Sequence, residues 1–210
     1  MTDTWWCENA WLGGESVASG VLFTVADGRI SAIDTDTTAQ PNSHRLRGLV
    51  IPGLANAHSH AFHRALRART QRDRGSFWTW RDLMYRAAER LNPERYRRLT
   101  RAVYAEMTLA GITSVGEFHY VHHDVGGTPY AEPNAMGLAV IDGAADAGLR
   151  LTLLDTCYLS AGPDGAPLAG PQQRFGDGTG GRWADRVEAL RLQVDAQQSV
   201  LIGAALHSVR

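Results

Sequence analysis

Two hydrophobic rhythms divide the chain. Over the first fifty residues apolar and polar positions alternate. Val21, Phe23 and Val25 share one face of an extended segment, Asp27-Gly28 marks a hairpin turn, and Ile30 to Ile33 returns. Gly48-Leu-Val-Ile-Pro-Gly53 reads as a short buried strand bounded by turn residues. From Leu54 onward, short apolar runs alternate with longer stretches whose apolar residues recur every three or four positions. These predict strands at 54–58, 112–117, 150–155 and 200–206, and helices at about 78–91, 94–110, 134–147 and 183–198. Asn92-Pro93-Glu94 opens one helix, and Leu99, Val103, Met107 and Leu109 supply much of its apolar stripe. Gly111 and Gly148 stand just past helix ends, where a left-handed residue is often required. The order strand, helix, strand, helix implies an α/β fold with a parallel sheet. Its two parts are a small β-rich segment at 1–52 and about four βα units at 53–210. The Gly-, Pro- and Asp-rich stretch 157–182 reads as a long flexible loop. Its Gly176-Asp-Gly-Thr-Gly180 lacks the preceding strand and following Lys-Ser/Thr of a phosphate cradle.

His58-Ser59-His60 is the sharpest chemical feature. Side chains at i and i+2 of a strand point to one face, so both imidazoles can converge on one ion. Pro52-Gly53 before and Ala61-Phe62 after place the pair at a strand's C-terminal end. In βα-barrels that end carries the active site, and imidazole nitrogen suits zinc and similar divalent ions. The spacing alone also fits two partly exposed loop histidines. His119, His122 and His123 resemble a metal cluster by residue type. Adjacent histidines of an extended segment point apart, however, which predicts a structural or ligand-supporting role. Glu117 closes a strand and is expected to hydrogen-bond nearby groups at its rim, with a general base as the alternative.

Val50-Ile-Pro-Gly-Leu-Ala-Asn-Ala-His-Ser-His60, following a small β-rich segment with its Asp-Gly hairpin, resembles the amidohydrolase superfamily of metal-dependent hydrolases. Four segments look more narrowly like its formimidoylglutamate deiminase family of histidine degradation. They are Asn56-Ala-His-Ser-His-Ala-Phe-His-Arg-Ala65, Phe77-Trp-Thr-Trp-Arg-Asp-Leu-Met-Tyr-Arg86, Gly116-Glu-Phe-His-Tyr-Val-His-His123 and Leu206-His-Ser-Val-Arg210. The resemblance implies a (β/α)8 TIM-type barrel, present here as a partial barrel of about four units. It implies one zinc ion with His58 and His60 as its first two ligands. His63, Arg81, Tyr120, His207 and Arg210 match substrate-binding positions, although some members carry glutamine where His63 stands. The implied reaction is hydrolytic deimination of N-formimino-L-glutamate to N-formyl-L-glutamate and ammonia. The acid–base residues and remaining ligands are implied to lie beyond Arg210. Residue chemistry agrees: a dicarboxylate suits the forked, permanently charged guanidinium, and Tyr120 can donate its phenolic proton to a carboxylate.

Composition narrows the alternatives. With 44% hydrophobic and 20% charged residues and a formal charge of −1, the chain is neither collagen-like nor disordered. No apolar run approaches the ~20 residues of a membrane span, and no basic stretch leads into an apolar one as in a secretory signal. Two cysteines, Cys7 and Cys157, suit a reducing, cytoplasmic setting and read as buried hydrophobes. All 21 basic residues are arginine, and twelve of them lie between Arg64 and Arg101. That density raises a non-catalytic RNA-binding module as one alternative. The near-neutral total and the helical placement favour solvated helix faces, so no nucleic-acid partner is expected. A deaminase of a purine or pterin ring is the other alternative, but a neutral ring does not require paired arginines. Without lysine there is no side chain to carboxylate as a bridging ligand, which favours a single ion. A complete barrel needs roughly 250 residues, so 210 predict a piece of something longer and inactive alone. Its expected partners are a small dicarboxylate and either a complementing C-terminal half or further copies of itself.

Overall fold

Alternation in the first fifty residues does produce strands: β1 (Thr2–Ala10), β2 (Ala18–Ala26), β3 (Arg29–Asp34) and β4 (His44–Val50). In the computed structural model, which describes residues 2–70 and 75–208, they form one sheet in the order β3-β2-β1-β4. β1 runs antiparallel to β2 and parallel to β4. Asp27 and Gly28 both adopt positive φ, 51° and 72°, the geometry of a two-residue hairpin turn. Cys7, Ala10 and Val21 form a small core, whereas Ile30, Ile33 and Leu49 remain about half exposed. The buried strand expected at 48–53 is corrected. β4 ends at Val50 and most of it is exposed, because it is an edge strand over a three-residue core and Pro52 has no N–H to extend the pairing.

The second unit, Leu54–Arg210, is built from β5 (Leu54–Ser59), β6 (Ile112–His119), β7 (Arg150–Cys157) and β8 (Val200–Leu206). Between them come a 3-10 turn at Ala61–Leu66 and helices α1 (Phe77–Glu89), α2 (Pro93–Leu109), α3 (Ala135–Asp146) and α4 (Gly180–Val194). The strands pair in sequence order and all in parallel. Four sequential parallel strands with helical crossovers make a partial barrel, as expected. Asn92 caps α2 by accepting from the Arg95 amide at 2.8 Å, with Pro93 in the first turn. Tyr96, Thr100, Val103 and Tyr104 recur on the buried face of α2. Several of the clustered arginines pair on the helix surface, Arg64 with Glu106 and Arg97 with Asp142 and Asp146. No helix among the described residues is long and apolar enough to cross a membrane.

Several boundaries shift, among them the end of α4, which stops at Val194 rather than near 198. β6 and β7 run two residues past their predicted ends, because His119 pairs with Asp155 and, on the other side, Thr156 and Cys157 pair with Ala205 and Leu206 of β8. The stretch expected as a flexible loop at 157–182 contains a 3-10 turn, Gly170–Phe175, with Gln172, Arg174 and Phe175 buried. α4 starts inside it at Gly180, capped by the Thr179 hydroxyl. Buried side chains, absent from a free loop, hold this segment down.

Candidate active site

Strand parity decides which side chains meet. Ser59 pairs with Glu117 and both are buried towards the helices, as are Val115 and His119. His58 and His60, one position either side of Ser59, therefore turn to the opposite face of the sheet with Phe118. Their rings lie 5.0 Å apart and nearly perpendicular, in a cavity of about 390 Å³ that Gly116, Leu154 and His207 also line. Burial pulls the His60 pKa below its ordinary value, with His58 adding to the effect against the Phe118 carbonyl. The ring is thus neutral, the form that binds metal. Its Nδ1 lies 3.4 Å from the Phe118 carbonyl. With the Nδ1–H donated there, Nε2 keeps its lone pair, the usual arrangement behind a histidine ligand. His58 and His60 thus fit as two donors of a zinc-like ion.

A second cavity of about 370 Å³ adjoins the first through the shared His207. α1 contributes Trp78, Arg81 and Tyr85, the segment after β6 contributes Tyr120, and the segment after β7 contributes Tyr158 and Phe175. The Arg81 guanidinium lies over Trp78 at 4.5 Å and near Tyr85 at 5.6 Å. Its Nε is buried with no hydrogen-bond partner among the described residues. Among the described residues no carboxylate pairs with this cation. Tyr120 is buried, and its hydroxyl is 2.8 Å from His63 Nε2. Burial first, and neighbouring Tyr158, hold its phenol protonated by raising its pKa far above normal. Burial lowers the His63 pKa to about 3, keeping that ring neutral. The His207 ring is 4.1 Å from Tyr158 and 5.4 Å from Tyr120. His63, Arg81, Tyr120 and His207 are thereby brought together beside the histidine pair. Arg210 lies outside the described residues.

Behind the sheet, His119, His122 and Asp155 place potential ligand atoms within 4.8 Å of one another. That position already has its cation. Arg186 grips both oxygens of Asp155 at 2.9 and 2.8 Å and also bonds Asp177, which accepts from His123 at 3.0 Å. Trp183 donates to Asp155 as well. A divalent ion there would face a buried guanidinium, so these histidines support the fold. Burial lowers the pKa of His119 to about 3 and of His122 to about 4. Glu117 accepts from the Ala61 amide at 2.6 Å, fixing the chain just beyond the histidine pair. Burial raises its pKa to about 7 against the opposing bonds from Ser59 and Ala61.

Sequence reasoning missed Tyr158, Phe175, Arg174, Asp177 and Arg186. Four fall in the stretch read as a flexible loop and Arg186 in the helix that follows it, and nothing in the local pattern marks their partners. Gln172 and Arg174 offered the one usable hint, as long polar side chains beside the Phe175 anchor.

The family model described as the amidohydrolase family matches residues 49–192. Formimidoylglutamate deiminase from Pseudomonas aeruginosa is 41% identical over 200 residues, covering 93% of this chain and 44% of that protein. The crystal structure of an amidohydrolase from Brucella melitensis superposes with a TM-score of 0.91 at 36% identity, covering 99% of this chain and 46% of that one. Atrazine chlorohydrolase from Arthrobacter aurescens, solved in complex with zinc, shares the fold with a TM-score of 0.74 at 21% identity. The chain spans less than half the length of the relatives it matches.

Proposed function

Because the chain belongs to the amidohydrolase family, we propose that it forms part of a zinc-dependent hydrolase that deiminates N-formimino-L-glutamate to N-formyl-L-glutamate and ammonia. The observation that carries this reading is the buried Arg81 Nε, without a hydrogen-bond partner among the described residues, in an aromatic pocket that shares His207 with the His58–His60 cavity. A substrate with carboxylates at one end and a hydrolysable amidine at the other fits two such adjoining sites.

In this reading His58 and His60 hold the ion together with ligands from outside this chain, since catalytic zinc normally has three protein ligands. Bound zinc supplies Lewis acidity and lowers the pKa of water. Arg81 binds a substrate carboxylate through its guanidinium fork, braced by Trp78 and Tyr85. In its Nε2–H tautomer, His63 donates to the Tyr120 oxygen, which leaves the phenolic proton for a carboxylate. His207 borders both cavities and orients the substrate between them, and Arg210 supplies the second cation. General acid–base groups are assigned to the part of the protein beyond Arg210.

Binding tests the reading without requiring turnover. The chain should bind the product N-formyl-L-glutamate, and Arg81→Ala should weaken binding by about 10- to 100-fold, the worth of a charge-assisted hydrogen bond of ~1.5–3 kcal/mol. Calorimetric titration checks this. Unchanged affinity in Arg81→Ala, or binding of guanine in place of the dianion, would overturn the assignment.

A further inference from the structure

Arg174 is fully buried, and no carboxylate pairs with it among the described residues. Its guanidinium spends its donors on main-chain carbonyls: Nε on His123 at 2.9 Å, Nη2 on Leu91 at 2.9 Å, and Nη1 on Ala88. Its own carbonyl accepts from the amides of His122 and His123 at 2.9 and 3.0 Å. The Ala88 and Leu91 carbonyls lie at the C-terminal end of α1, where the helix presents its negative pole.

These partners belong to the three walls of the aromatic pocket. α1 carries Trp78, Arg81 and Tyr85, the segment after β6 carries Tyr120 three residues before His123, and Phe175 follows Arg174 itself. Gln172, from the same turn, donates to the Tyr158 hydroxyl at 3.2 Å. The two post-strand segments also meet backbone to backbone. A Cβ on Gly127, which has φ +78°, would come within 2.7 Å of the Gln173 carbonyl. We propose that Arg174 is a positioning residue that joins α1, the post-β6 segment and the post-β7 segment at one guanidinium and so sets the geometry of the anion pocket. The inference rests on the proposed dicarboxylate reading for its ligand, though the junction itself is independent of it. Three carbonyls in one forked arrangement need a planar donor. A lysine ammonium has compact donors that cannot span them.

Arg174→Lys and Arg174→Met, read by two measurements, test this. Hydrogen exchange of the His122 and His123 amides should accelerate at least tenfold in both variants, with β7 residues 151–155 unchanged. The dissociation constant for N-formyl-L-glutamate should rise at least tenfold with the number of binding sites per folded chain retained. A purely structural role would lower the folded fraction and leave the constant of the remaining sites unaltered. That result, or unchanged exchange at both amides, overturns the proposal. Should Arg174→Met fail to fold, Arg174→Lys, which keeps the charge and one carbonyl bond, carries the test. If the wild-type chain does not bind the product at all, the substrate reading fails and exchange alone judges the junction.

Discussion

The two faces of the β5–β7 sheet end in histidines of opposite character. Towards the helices, His119 and His122 are almost fully buried beside Asp155, Arg186 and Trp183. On the other face His58 and His60 border an open cavity, and the Phe118 carbonyl orients His60. Residue type is the same; neighbours decide the role. A carboxylate whose two oxygens are held by a guanidinium has no charge left for an ion. Two imidazoles facing open space, with His60 backed by a carbonyl, have lone pairs to offer. The larger His-His-Asp group is therefore scaffold, and the smaller pair is the candidate metal centre.

Breaking the buried side should have the largest effect. Arg186→Met strands the Asp155 and Asp177 carboxylates in the interior and is expected to lower unfolding free energy by about 3–5 kcal/mol. Urea denaturation would show this as a shifted midpoint. Adding Asp155→Asn should restore part of the loss by removing one stranded charge. A change below ~1 kcal/mol in the single variant would show that Arg186 is not the resident cation.

Much of this contrast was legible in the sequence. The i, i+2 spacing of His58 and His60 placed them on one face, and the apolar runs located all four parallel strands. Parity did not foresee that His119 and His122 converge beside Asp155; what argues for a supporting role there is Arg186 on that carboxylate. Its binding partner was not legible: Arg186 meets Asp155 from 31 residues away, through side chains on elements with no shared pattern. Arg174 was less visible still, since its partners are backbone carbonyls up to 86 residues distant and carbonyls have no sequence identity. Glycine and proline suggested a loose loop at 157–182, whereas long-range hydrogen bonds fix it. Arg210, the expected second cation, lies outside the described residues.

Acid should weaken the buried face through its histidines. Unfolded, His119 and His122 take up protons near pH 6.5, while folded they do so only near 3 and 4. The unfolded chain binds more protons in that interval, so stability falls as pH drops from about 6.5 towards 4. Glu117 works in the opposite sense. Folded, it titrates near 7 against 4.5 unfolded, so acidification through that window favours the folded state. Two histidine shifts outweigh one carboxylate shift, and the wild-type urea midpoint should decline between pH 7 and 4.5. In Glu117→Gln the decline should be steeper, because the opposing contribution is gone. A midpoint that rises on acidification would mean that the buried histidines are already protonated and paired near neutrality.

The open face should give the smallest change in stability and the sharpest change in metal uptake. His60 is only partly buried, so His60→Ala is expected to shift unfolding free energy by less than ~1 kcal/mol, as for sites away from cores and ion networks. Its zinc affinity, followed by competition with a chromogenic chelator, should fall at least tenfold, because one of the two donors in this chain has been removed. His122→Asn gives the complementary measurement. It should cost more stability than His60→Ala while leaving the zinc affinity of the folded fraction unchanged. Zinc uptake that survives in His60→Ala and disappears in folded His122→Asn would move the metal centre behind the sheet. Arg186 would then have to release Asp155 to make room for the ion.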